Sequence, residues 1–224
     1  MKLLYPEYSI ALELCENEVS VIVIENPEIF ARLVNELLLQ NSGQEGGFIL
    51  SEVDKIKSIS KETQVIINPF SLDCNEKRIL QKLYQEIEKI ALEEFVEDVG
   101  KLHGEIITCL DKLVNAVPYA TNYSLDINVQ AFLKAYCVQI DTHADSLIEN
   151  VINYLRTLNQ LCHIEIVFFI NLKTFFSERE ILQLYEFAFY QKIHLILLEN
   201  TQKGILKGEK TCILDKDQCI IYLK

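Results

Sequence analysis

Three runs of nearly continuous apolar residues constrain the fold of this chain more than any other feature. They span Val19–Glu25, Ile164–Asn171 and Ile193–Asn200 and are rich in Val, Ile, Leu and Phe. Side chains alternate between the two faces of a strand, so a strand that is apolar at successive positions is covered on both faces. Each run is far shorter than the roughly 20 residues of a membrane-spanning helix. The runs predict an α/β protein with a mostly parallel, helix-covered sheet.

Turn and capping residues place helices between these strands. Asn26-Pro27 ends the first run and opens a helix over about 28–40. Ser177 and Glu180 have the spacing of a capping box, which predicts a helix between the second and third runs. Further strands are predicted at 9–14 (paired with 19–25), 48–51, 63–68, 211–214 and 219–223, the last two as a hairpin.

The middle of the chain has a helical pattern instead. Residues 75–115 are amphipathic and charged, and Gly100 and Gly104 are expected to break or bend this stretch. Two more helices are predicted at 127–136 and 144–161. The predicted organisation is an α/β head of residues 1–72 plus 161–224, with a helical leg of residues 73–160 inserted into it.

Charge and cysteine content limit the class of protein. The chain has 33 acidic and 21 basic residues, a net charge of −12, whereas nucleic-acid binders usually present a basic surface. DNA binding therefore requires a local concentration of lysines or a bridging cation. The seven cysteines include no C-x-x-C pair, and most lie in apolar runs, which predicts reduced core thiols in a cytoplasmic protein. No export signal is expected.

A search for catalytic motifs predicts no enzyme. Residues 204–211 (GILKGEKT) approach the phosphate-loop pattern, but the glycines are one residue too close, Glu209 separates Gly208 from Lys210, and a strand follows. The four histidines lie in no catalytic motif. A divergent nucleotide hydrolase that uses these C-terminal glycines stays open as an alternative.

Two groups of lysines are the candidates for contact with DNA. They are Lys55, Lys57 and Lys61 in one segment, and Lys203, Lys207 and Lys210 in another. Either these are solvated lysines in loops of the head, or they contact backbone phosphates without reading sequence. Symmetric assembly favours the second interpretation, since one lysine per subunit becomes a ring of positive charge.

Carboxylates near the ends of the predicted helices are the candidates for a metal site. Asp126, Asp141 and Asp145 could meet in space and offer the oxygen ligands that calcium prefers. The chain contains no EF-hand loop.

Five stretches, in order along nearly the whole chain, resemble the Csn-two family of CRISPR-associated proteins. They are VSVIVIENPEIFARLVNELL, NPFSLDCNEKRILQKLYQEIEK, VQAFLKAYCVQID, FFINLKTFFSEREILQLYEFAFYQKIHLILLENTQ and the final ILDKD with its short strand.

The resemblance implies a fold and a function. The head sheet would be similar to those of nucleotide hydrolases but without their phosphate loop. The protein would form a homotetrameric ring, lined with lysines and supported by calcium, that threads onto the ends of linear double-stranded DNA. It would act with the CRISPR integrase and effector nuclease during spacer acquisition.

The chain also departs from the family pattern. The acidic run of some members is reduced here to Ser124-Leu-Asp126-Ile-Asn128, so calcium dependence is altered or the ligands come from elsewhere. A block of lysines found in some members before the strand IEIVFFIN is absent. The remaining alternative is an acidic scaffold that binds other CRISPR adaptation proteins and not DNA.

Overall fold

The three apolar runs form three adjacent strands of one sheet. The computed structural model describes residues 1–53 and 55–223. In chain order the strands are β1 (Lys2–Tyr5), β2 (Ile10–Glu13), β3 (Val19–Ile24), β4 (Ile49–Glu52), β5 (Lys55–Lys57), β6 (Thr63–Ile66), β7 (Ile166–Ile170), β8 (His194–Glu199), β9 (Glu209–Leu214) and β10 (Ile220–Leu223). The helices are α1 (Pro27–Asn41), α2 (Ile59–Glu62), α3 (Lys77–Glu93), α4 (Val96–Asn115), α5 (Val129–Ala135), α6 (Leu147–Cys162) and α7 (Glu178–Tyr190).

Six strands make the large sheet, in the order β10-β9-β3-β8-β7-β6. The five from β9 to β6 run parallel to one another, and β10 returns antiparallel to β9. This arrangement confirms the predicted α/β class with a mostly parallel sheet, and it confirms the C-terminal hairpin. The strand–helix–strand unit is confirmed as β7–α7–β8, with the capping box of Ser177 and Glu180 in place.

The small sheet was not predicted. Strands β2, β1, β4 and β5 pair antiparallel in that order. The predicted pairing of residues 9–14 with 19–25 is therefore wrong, because β2 pairs with β1 while β3 lies between β9 and β8. A half-apolar pattern predicts a strand but not its partner, and the partner of β2 is β1, an inner strand that was not predicted.

The main core fills the space between one face of the large sheet, helix α1 and the small sheet. Its fully buried members come from all three layers and include Ile22, Phe168, Leu33, Leu37 and Leu50. On the opposite face of the large sheet, α7 packs on β8 and α6 packs on α7. Strands β3 and β7 are buried at every position, which explains their continuous apolar sequences.

Residues Cys74–Asp141 form a second compact unit made of α3, α4 and α5. Its small core contains Tyr84, Val129 and Leu133. The Tyr84 hydroxyl donates to the Val138 carbonyl at 2.8 Å. The Asn75 side chain donates to the Ile140 carbonyl at 3.0 Å and accepts from its N–H at 2.8 Å, so the two ends of the unit are held together.

The predicted extent of the helical leg differs from the structure. The predicted leg extends to residue 160, whereas the unit ends at Asp141 and α6 belongs to the α/β unit. Helix α6 buries Val151, Leu155 and Leu158 completely. An amphipathic pattern shows that a helix is covered on one side but not by what.

The two glycines do not interrupt the helix. Gly100 and Gly104 lie inside α4, and the break falls at residues 94–95, between α3 and α4. A glycine in a helix interior lowers helix stability without necessarily ending the helix.

We expect Gly100→Ala and Gly104→Ala to raise the free energy of unfolding by about 1 kcal/mol each, because alanine is a better helix former. A Cβ atom at either position meets no atom within 4 Å. Urea unfolding followed by circular dichroism measures the change. Gly208→Ala is the matched control and should destabilise the protein, since Gly208 has φ +91° and its added Cβ would lie 3.3 Å from Phe189 Cζ. A loss of stability at Gly100 or Gly104 would contradict the prediction.

Candidate functional site

The first group of lysines lies on a hairpin and a helical turn at one side of the α/β unit. Lys55 and Lys57 are on β5, where Lys55 is opposite Glu52 and Lys57 is opposite Leu50 on β4. Lys61 lies on α2, directly before β6. The prediction described this segment as a loop, but it forms a strand and a helical turn. Lys55 and Lys57 are two residues apart on one strand, so they share a face, as the alternating pattern predicted.

These three lysines differ in their charge environment. The Lys57 Nζ lies 2.7 Å from Glu52 Oε2, and this hydrogen bond raises the pKa of Lys57 and lowers that of Glu52. Lys55 and Lys61 are exposed and form no ion pair with any described residue. They are therefore the two cations of this group that a phosphate can approach without displacing a carboxylate.

The second group occupies the segment from β8 to β9. Lys210 Nζ lies 3.2 Å from Glu18 Oε2. Lys203 Nζ donates to the Lys173 carbonyl at 2.8 Å and to the Thr174 hydroxyl at 3.0 Å. Lys207 is exposed and has no ion-pair partner within residues 1–53 and 55–223.

The two groups do not merge into one patch. Lys61 precedes β6 at one edge of the large sheet, while Lys210 lies on β9, four strand positions away. Strands lie about 4.8 Å apart, so these segments are separated by about 19 Å. The chain thus presents two separate sets of lysines, and neither is dense enough by itself to offset the net charge of −12.

A buried polar network behind the second group was missed by the sequence analysis. Lys173 Nζ lies 2.7 Å from Glu209 Oε1, and the exposed fractions of these two side chains are 6% and 0%. The Tyr185 hydroxyl donates to Glu209 Oε1 at 2.7 Å. The Lys173 N–H donates to Glu199 Oε1 at 3.0 Å. Four chain segments therefore converge on two carboxylates and one ammonium group.

Burial determines the protonation behaviour of this network. Desolvation raises the pKa of Glu199, which is 1% exposed. Desolvation, followed by the charge of Glu209, also raises the pKa of Tyr185. Glu199 Oε2 and Thr211 Oγ1 are buried without a hydrogen-bond partner in the described part of the chain. A carboxylate in this position is costly to ionise, and the cost falls on the folded state.

Little in the sequence could have revealed this network. Glu199 ends an apolar strand, and a charged residue at the end of a buried strand is the one available signal. Lys173 and Glu209 are 36 residues apart and are brought together only by the sheet.

Side chains cap the N-termini of α1 and α7. Asn26 accepts hydrogen bonds from the N–H groups of Glu28 and Ile29 at the start of α1, and Pro27 has no N–H. Ser177 caps α7 in the same way. The glycine segment 204–208 leads into β9, as predicted, so it does not place its N–H groups at a helix N-terminus.

The three candidate calcium ligands belong to no metal-binding group among the residues that the structure describes. Asp126 Oδ2 accepts from the Ser124 hydroxyl at 3.0 Å, and Asp145 Oδ1 lies 3.7 Å from His143 Nδ1. Asp141 ends the helical unit. Over residues 1–53 and 55–223, no three His, Cys, Asp or Glu side chains are placed to hold a metal ion. Calcium binding by Asp126, Asp141 and Asp145 stays a prediction.

Among the seven cysteines only Cys74 and Cys212 are buried, so the prediction of mostly core thiols is wrong. Burial raises the pKa of the Cys212 thiol to about 11. Cys109, Cys137 and Cys219 are exposed because apolar sequence neighbours do not determine which face of an element a residue occupies.

In the described chain, no helix combines the length and apolar character needed to cross a bilayer.

The helical unit has a large uncovered apolar surface. Helix α4 has 20 residues, and none of them is buried. Phe95, Leu102 and Ile106 line a groove of about 360 Å³ that α3 and α5 complete. Exposed apolar patches of this kind are typical of surfaces that bind another protein.

These features define an α/β protein with a helical insertion. The family model for the CRISPR-associated protein Cas_Csn2 matches residues 40–218, which is most of the chain. The chain therefore belongs to the Csn2 family of CRISPR-associated proteins, as its resemblance indicated.

A relative in Enterococcus faecalis, the CRISPR-associated protein Csn2, is 23% identical to this chain over 213 residues. The match covers 91% of this chain and 91% of the relative. Among solved structures, a putative metal-chelate type ABC transporter in an inward-facing conformation has a TM-score of 0.43 at 10% identity, covering 100% of this chain and 80% of the other. The ATP-binding cassette MJ1267 of an ABC transporter, in its ADP conformation, has a TM-score of 0.49 at 12% identity, and the match covers 98% of this chain and 88% of the other. Both scores are below 0.5, so the α/β class rests on the strand order itself.

We expect Glu199→Gln to change how stability depends on pH. A raised pKa means that the folded state holds the proton more tightly than the unfolded chain, so the free energy of unfolding falls as pH rises from the ordinary value of 4.5 through the raised pKa. Glutamine keeps an acceptor for the Lys173 N–H and carries no charge. The variant should therefore gain stability relative to the natural protein as pH rises. Urea unfolding between about pH 5 and about pH 8 measures the difference.

Glu186→Gln, at an exposed position on α7, is the matched control and should show no such divergence. Parallel stability curves for Glu199→Gln and the natural protein would contradict the prediction.

Proposed function

We propose that this protein binds ends of double-stranded DNA, independently of sequence and without cleaving them, as a homotetrameric ring during CRISPR spacer acquisition. The CRISPR integrase and effector nuclease are its proposed partners, and the cytoplasm is its proposed location. Membership of the Csn2 family supports the CRISPR-associated role. The DNA and the ring are inferred from the family resemblance and from the surface described above.

The observation that carries the proposal is the state of Lys55 and Lys61. Lys57 and Lys210 each pair with a carboxylate, which a phosphate would have to displace. Lys55 and Lys61 lie six residues apart, are exposed, and pair with no carboxylate in the described residues. Cations that contact phosphate must be available in this way, and contact with phosphate alone gives binding that does not depend on sequence.

The helical unit supports assembly into a ring. A helix of 20 residues with no buried side chain and an adjoining apolar groove is more stable when another surface covers it. Repetition of the lysine segments around a closed ring would concentrate positive charge in a protein that is acidic overall. Side chains cap the N-termini of α1 and α7, which supports binding of DNA over nucleotide hydrolysis at these two helices.

We expect linear duplex DNA to be retained in a gel shift at low salt, and a covalently closed circle of the same sequence not to be retained. A closed ring can thread onto DNA only at a free end, so the difference between linear and circular DNA tests the ring directly. Equal binding to both forms would support contact with DNA but contradict threading. Binding to neither, together with capture of the integrase, would favour the acidic scaffold.

We expect Lys55→Gln and Lys61→Gln to weaken this binding without changing the oligomeric state. Each lost phosphate contact should also reduce the slope of log affinity against log salt by about 0.9. Lys192→Gln is the matched control, because Lys192 is exposed and lies 3.8 Å from Glu16 in the same unit. Unchanged affinity and slope in both variants would assign the contacts to other lysines.

Calcium belongs to the proposal only as an ion that supports assembly. Asp126→Asn should make formation of the tetramer less dependent on calcium. Analytical ultracentrifugation with calcium and with a chelator measures the fraction of tetramer. Asp217→Asn, in the exposed turn before β10, is the control. An unaltered calcium response in Asp126→Asn would place the ligands elsewhere.

A further inference from the structure

The connection from β8 to β9 is unusually short for the path that it takes. The two strands are parallel and have β3 between them. Nine residues, 200–208, join the end of β8 to the start of β9. A crossover between parallel strands usually takes a dozen or more residues and contains a helix. This segment, the crossover loop, contains no helix or strand and carries Lys203 and Lys207.

A loop without helix or strand must satisfy its backbone groups by other means. The turn after β7, residues 171–174, supplies partners at three points. The Asn200 N–H donates to Asn171 Oδ1 at 2.9 Å, and Lys203 Nζ donates to the Lys173 carbonyl at 2.8 Å. Lys173 Nζ donates to the Gly204 carbonyl at 3.0 Å.

Glu209 holds the other end of the crossover loop. Its Oε2 accepts from the Leu206 N–H at 3.0 Å and from Lys173 Nζ at 2.8 Å. Its Oε1 accepts from the Tyr185 hydroxyl on α7 at 2.7 Å. The same two charged groups that pair with each other thus also bind the loop backbone on both sides of Ile205. Hydrogen bonds to charged groups are the stronger ones, and burial protects this pair from screening by salt.

We propose that Lys173 and Glu209 are positioning residues: their buried ion pair fixes the crossover loop and so places Lys203 and Lys207 where phosphates of a duplex can meet them. The role in DNA contact rests on the proposed function. The fixing of the loop does not, because it follows from the contacts within one subunit.

The ion pair is best tested by removing both charges together. Lys173→Met alone would leave the Glu209 carboxylate buried without its cation, and such variants can fail to fold. The double variant Lys173→Met/Glu209→Gln removes both charges of the pair. Its amide oxygen can accept from the Leu206 N–H, and its NH2 group can donate to the Tyr185 hydroxyl oxygen. Lys192→Met/Glu16→Gln makes the same two changes at an ion pair whose side chains are 75% and 67% exposed, and it is the matched control.

Limited digestion of the full chain with trypsin, without DNA, measures how readily the crossover loop opens. Cleavage after Lys203 and Lys207, quantified by mass spectrometry, should be at least about tenfold faster in Lys173→Met/Glu209→Gln than in the natural protein, because proteolysis follows local opening. Cleavage after Lys216 should not change. Circular dichroism and gel filtration establish that the variant is folded and assembled. Unchanged cleavage after Lys203 and Lys207 in a folded variant would overturn the proposal.

Binding to linear duplex DNA tests the second half. Affinity in Lys173→Met/Glu209→Gln should fall as far as it does in Lys203→Gln/Lys207→Gln, and combining all four substitutions should add little further loss. Faster loop cleavage with full DNA affinity would overturn the positioning role. If the natural protein binds no DNA, the proposed function fails, and the trypsin result alone decides whether the ion pair fixes the loop.

Discussion

The complete burial of β3 is the constraint on which the rest of this structure depends. Each of its six residues is buried, and it pairs with β8 on one side and β9 on the other. A central parallel strand requires a layer on both faces, and α1 with the small sheet supplies one of them. The positions of β8 and β9 on its two sides force the chain to pass over it between residues 199 and 209. The crossover loop and its buried ion pair are consequences of that path.

The charged groups of the α/β unit divide into two kinds. Surface lysines such as Lys57 and Lys210 are paired with carboxylates across solvent, where an ion pair contributes little to stability and a phosphate can replace the carboxylate. Lys173 and Glu209 are excluded from solvent and bind backbone groups as well as each other. The first kind contributes little to the fold, and the second binds the backbone of the crossover loop that carries Lys203 and Lys207.

Much of the fold could be predicted because it depends on local pattern. The apolar runs predicted β3, β7 and β8, and Ser177 with Glu180 predicted the start of α7. The small sheet, the assignment of α6 to the α/β unit and the continuity of α4 through Gly100 and Gly104 could not be predicted in this way. Each depends on which surface covers an apolar face, and a single element does not carry that information.

The candidate site shows the same division. The sequence by itself determined the α/β class, the family resemblance and the two segments that carry lysines, since these follow from residue type and order. Only the tertiary structure decided which lysines have a carboxylate partner, that the two segments lie about four strand spacings apart, and that Lys173 meets Glu209. The physical reason is that electrostatic pairing depends on distance in space. In a parallel sheet, residues that are neighbours in space come from strands far apart in sequence.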